Sequence, residues 1–116
     1  MKTEVKQLLT KIESLMIKLG FEEVLVKHFE TGVIEKNYFY GGTYCVPVYI
    51  DTLGFIIEYA DSLQEAQNCL YEDGAKFPMH LGEAAILSGI KKELVKIMSE
   101  VDSPVMMGVR DMRVAV

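Results

Sequence analysis

Residues 33–60 read VIEKNYFYGGTYCVPVYIDTLGFIIEYA, and the fold turns on how this stretch divides. Val, Ile, Tyr and Phe dominate it, which suits extended chain. Turn-forming residues interrupt the region about every ten positions, at Thr31-Gly32, Gly41-Gly42 and Asp51-Thr52-Leu53-Gly54. The breaks define extended runs over residues 22–30, 33–40, 43–51 and 54–60. Connections this short join only antiparallel neighbours, so the runs form a four-stranded meander. Pro47 sits inside the third run and has no N–H to give a ladder, which predicts a bulge or a local gap in pairing.

Helical signals flank the meander. Over residues 2–19, Val5, Leu8, Leu9, Ile12, Leu15, Met16 and Leu19 recur at helical spacing, and Gly20 supplies a stop. After the meander, Ser62 and Glu65 have the spacing of a capping box. A short helix should follow, with Leu63, Ala66 and Leu70 inward, ending at a turn at Asp73-Gly74. Phe77-Pro78-Met79 reads as a break. A further helix is expected from about residue 81 to residue 99, with Ile86, Ile90, Leu94, Ile97 and Met98 on one stripe and Gly89 weakening it slightly. Ser103-Pro104 ends it, and residues 105–116 are either a fifth strand or a loose end. The expectation is one α+β domain over residues 1–116: an N-terminal helix, a four-stranded antiparallel meander, then two helices packing on one sheet face.

Composition narrows the function. The chain has 116 residues, of which 50% are apolar and 25% charged, enough for one core. Its net charge of −5 argues against a nucleic-acid or anionic-membrane partner. No apolar run approaches the roughly eighteen residues of a membrane span, and the N-terminal residues lack a signal-peptide core, so a cytoplasmic protein is expected. Cys45 and Cys69 stand far apart without a CxxC pattern and are expected as buried free thiols.

Counting from two-residue turns at Gly41-Gly42 and Thr52-Leu53 assigns the sheet faces. One face collects Phe39, Tyr44, Val46, Val48, Ile50, Phe55, Ile57 and Tyr59 and should be the core. The other collects Ile34, Lys36, Tyr38, Tyr40, Thr43, Cys45, Tyr49 and Ile56, and a two-residue turn at Thr31-Gly32 adds Leu25 and Phe29. Tyr38, Tyr40, Tyr49 and Ile34 are therefore the candidate partner-binding residues, for another protein or a second copy of the chain. The competing reading covers this face with a helix or the tail.

Candidates for chemistry are few. His28 falls opposite Glu35 across the first hairpin, either as an acid–base pair or as an ordinary cross-strand pair. His80 precedes the last helix in Met79-His80-Leu81-Gly82 and reads as helix entry. Cys45, Cys69, His28 and His80 come from separate elements without metal-ligand spacing, so no metal is expected. Asp51, Glu58, Asp61, Glu65, Glu72 and Asp73 form a mildly acidic, solvated region without a calcium-loop pattern. No nucleotide, flavin or other cofactor motif is present, and no catalytic residue is assigned. The leading expectation is a small acidic protein that works by protein–protein binding, such as a bacterial immunity-type or phage-type inhibitor. A type III-like secretion chaperone and a small enzyme or ligand-binding domain, with His28 or His80 in a pocket, are the alternatives.

Overall fold

The computed structural model describes residues 2–103, so the expected alternatives for residues 105–116 fall outside it. Helix α1 (Thr3–Leu19) leads into strands β1 (Glu22–Lys27), β2 (Ile34–Tyr40), β3 (Thr43–Ile50) and β4 (Gly54–Ala60). Helix α2 (Leu63–Gln67), strand β5 (Glu72–Phe77), one 3-10 turn (Met79–Leu81) and helix α3 (Glu83–Asp102) follow. The strands form one antiparallel sheet in chain order, β1-β2-β3-β4-β5. The α+β class and the meander hold. The sheet has five strands rather than four.

The additional strand runs through Asp73-Gly74, which reads as a turn in the sequence. Gly74 serves close approach instead. A Cβ there would lie 2.9 Å from Ile57 O on β4, at the point where the β4–β5 register shifts between Ile56 and Glu58. The capping box does form, with Glu65 N–H donating to Ser62 Oγ at 3.1 Å. Helix α2 spans only five residues, however.

At Gly41-Gly42 the tight turn is as expected. Both glycines have positive φ, 55° and 97°, and Tyr40 pairs with Thr43. The next turn differs. Leu53 N–H closes onto Ile50 O, Gly54 takes φ 97°, and Ile50 pairs with Gly54 across three loop residues. The added residue shifts the register by one and exchanges the faces of β4 relative to β3. Tyr49 thus pairs with Phe55, and Cys45 with Tyr59.

Tyr38, Cys45, Phe55 and Ile57 consequently share the face covered by α1 and α3, packed with Ile12, Met16, Ile86, Ile90 and Leu94. The two long helices cover the tyrosine-bearing face, which corrects the expectation that it is open. Val26 and Ala60 lie on the reverse side with Ala66 of α2, flanked by Val24, Tyr44 and Tyr71, so α2 and α3 pack on opposite faces of the sheet rather than on one as expected.

Ladder pairing between β2 and β3 covers only Tyr38–Tyr40 against Thr43–Cys45. It stops two residues before Pro47, so the expected gap is found on the β2 side only; towards β4 the ladder runs unbroken through Pro47 opposite Ile57. The rest of β2 stays with β1, and this hairpin packs on α2: Phe29 N–H donates to Gln67 O at 2.9 Å. No helix among the described residues is long and apolar enough to cross a membrane.

Candidate functional site

Two features stand out on the β1–β2 hairpin: a polar cluster where it meets α2, and a group of exposed apolar residues.

The polar cluster is built around His28. The β1–β2 loop is four residues rather than two, so His28 N–H bonds Val33 O and Val26 pairs with Glu35. The register differs by two from the expected one, which leaves every side chain on its face. His28 and Glu35 therefore still meet, with Nε2 2.8 Å from Glu35 Oε1. His28 is only 6% exposed. On the other side of the ring, Nδ1 lies 3.2 Å from Ala66 O and 3.0 Å from Cys69 Sγ. The Tyr71 ring stands edge-on to the imidazole at 6.3 Å between centroids.

A second line of hydrogen bonds backs the first. The fully buried Asn37 accepts from Tyr71 O–H at 2.8 Å and donates to Glu35 O at 3.4 Å. Burial is the main cause that pushes the Tyr71 phenol up to about 12, against the lowering effect of its bond to Asn37. Glu58 approaches from β4. Burial first, then the nearby Asp73 and Glu35 carboxylates, hold its carboxyl above the usual range. Glu58 is thus half-buried rather than part of a solvated acidic region.

Cys69 is the member that sequence reasoning missed. It is exposed, which corrects the expectation of two buried thiols, and it lies 41 positions from His28. Its φ of 57° is the only positive value at a described residue other than glycine. Cys45 is buried as expected, and burial pushes its thiol up to about 12, with Asp61 and Glu93 adding to the effect. Among the described residues no group of three or more His, Cys, Asp or Glu side chains could hold a metal ion.

The expected partner-binding residues are dispersed. Tyr38 is 2% exposed beneath α1, where burial and then the Glu13 charge raise its phenol. Tyr40 is half-buried and donates to Asp102 Oδ2 at 2.7 Å, a bond that raises its phenol. Tyr49, also half-buried, packs on Phe55 at 4.9 Å between centroids. These three do not form an open patch. Ile34 alone is on the surface, 62% exposed, and it has company: Leu25 is 71%, Phe29 61% and Val33 56% exposed. His80 sits exposed in the 3-10 turn, away from the cluster.

Set against protein-family models, curated proteins and solved structures, the chain matches none. The functional reading therefore rests on the chemistry of these surfaces.

Proposed function

We propose that this chain works by binding another protein, as an immunity-type or phage-type inhibitor does, and that the β1–β2 hairpin carries the contact. The observation behind the reading is the exposure of Leu25, Phe29, Val33 and Ile34, each more than half open to solvent within ten residues of chain. Apolar side chains concentrated in this way commonly mark an interaction surface. The hairpin also supplies one edge of the sheet, because among the described residues β1 has a strand neighbour on one side only. An edge strand can accept an added strand, with alternate side chains setting specificity. Lys27 and Lys36 stand on the same strands, Lys27 paired with Ile34 and Lys36 with Leu25. Lys27, on the edge strand itself, discourages indiscriminate edge pairing.

The test is the double variant Leu25→Asp with Ile34→Asp, co-expressed with the product of the neighbouring gene in the native host. Both positions are exposed, so the variant should melt with the parent. It should lose at least about ten-fold in affinity for that product, as expected when central apolar contacts are replaced by charge. Equal binding by parent and variant would refute the reading. A parent dimer that the substitutions dissociate would make the hairpin a homodimer seam and displace the inhibitor reading.

A further inference from the structure

The binding reading has no use for a nucleophile beside a base, yet the hairpin and α2 assemble one. Glu35, when ionised, only accepts hydrogen bonds, so His28 Nε2 carries its hydrogen toward Oε1 at 2.8 Å. In the neutral ring that leaves the Nδ1 lone pair to take the proton of the Cys69 thiol, 3.0 Å away. Thiol, imidazole and carboxylate in this order form the arrangement by which cysteine nucleophiles are activated. Ala66 O, 3.2 Å from Nδ1, can accept the Nδ1–H once the proton has crossed from sulfur. Both ring nitrogens then have an acceptor. Cys69 is an exposed residue while His28 is buried, which favours access of a dissolved reagent to the nucleophile over the base.

The surroundings favour one class of electrophile. Acyl transfer needs donors aimed at a developing oxyanion. The backbone N–H groups of Cys69 and of Leu70 after it are already used, Cys69 N–H on Ala66 O at 3.1 Å and Leu70 N–H on Glu65 O at 2.8 Å. Attack on a disulfide develops no oxyanion. It needs an accessible thiolate and a proton for the departing sulfur.

We propose that Cys69 is a site of thiol–disulfide exchange with low-molecular-weight disulfides, with His28 as its base and Glu35 as the positioning residue. His28 Nδ1 takes the thiol proton. Cys69 Sγ attacks one sulfur of the disulfide, and the old S–S bond breaks as the new one forms. The departing thiolate takes the proton from Nδ1. One thiol and one disulfide become one mixed disulfide and one thiol, so no further oxidant or reductant is required. Cys45, buried in the core, is the internal control.

The experiment treats the full-length chain with dithiodipyridine and, separately, with oxidised glutathione. The rate and the modified peptide are followed by absorbance and mass spectrometry. A single adduct on Cys69 is expected, forming at neutral pH about ten-fold or more faster than in the urea-unfolded chain, which mere exposure cannot produce. His28→Gln should slow the reaction by about ten-fold or more at pH 7, the lower range of general acid–base effects. That deficit should close by about pH 10, where a cysteine thiol ionises unaided. Glu35→Gln should slow it less and behave likewise with pH. A native rate equal to the unfolded rate, or an adduct on Cys45, would overturn the proposal. So would variants with parental rates at pH 7, or a deficit of the same size at both pH values. If His28→Gln fails to fold, Glu35→Gln and the native-to-unfolded comparison still decide. None of these measurements touches Leu25 or Ile34, so the exchange site and the hairpin contact stand or fall separately.

Discussion

Gly89 shows how one position can be set against its own helix. Its lack of a side chain costs α3 roughly 1 kcal/mol relative to Ala. A Cβ there, however, would run into the Phe77 ring at Cε1. Gly89→Ala therefore gains propensity and loses packing. Overpacking costs about 1–3 kcal/mol, so we expect a net loss of about 1 kcal/mol, visible as a melting temperature lowered by several degrees. A variant melting above the parent would mean that the ring moves aside freely. Glu58 pairs with Asp73, one carboxylate opposite another, and its folded pKa is raised from 4.5. The folded chain then binds a proton more readily than the unfolded chain. This contribution favours folding below the unfolded value and is lost as pH rises through the folded one. Glu58→Gln should accordingly stabilise at pH 7, by a few tenths to about 1 kcal/mol, with the gain gone by about pH 4. Urea midpoints at the two pH values measure this, and an equal gain at both would assign the effect to packing.

At the scale of elements, α1 is core. Ile12, fully buried in its stripe, touches solvent nowhere. Ile12→Asp should cost several kcal/mol or unfold the chain, and a thermal melt matching the parent's would contradict this. The sequence made α1, α3, β2, β3 and β4 legible because their signals are local: a 3.6-residue stripe, runs of branched and aromatic residues, paired glycines at 41 and 42. It did not reveal β5, because Asp-Gly is ordinary turn chemistry and only the backbone of β4 at Ile57 explains why glycine is needed there. It also misplaced the tyrosine face. A two-residue and a three-residue turn at residues 51–54 differ by one in register, and only Gly54, in the left-handed region, marks the longer one. The His28–Glu35 pair survived because its error was two residues, an even number.

For the whole molecule, the sheet is unevenly joined. The β3–β4 ladder holds seven pairs and the β2–β3 ladder three. The β1–β2 hairpin should open below the free energy of global unfolding, so its amides should exchange faster than those of β3 and β4. Uniform protection across the sheet in native-state hydrogen exchange would contradict this. The candidate exchange site lies across that seam, with His28 and Glu35 on the hairpin and Cys69 just past α2. That is why the His28–Glu35 pair was legible and its meeting with Cys69 was not: no spacing rule connects residues that meet only when the hairpin docks on α2. The strand order has a further consequence in time. Each strand neighbours the one before it, so every ladder closes a short loop and pairs quickly. Helix α1 is different, since its surface contact Lys11–Glu83 spans 72 positions and its core partners lie on the sheet and on α3. During synthesis its apolar stripe must wait for the sheet, and is closed over only when α3 has left the ribosome. Over that interval α1 is the part of the chain most open to chaperones and to aggregation.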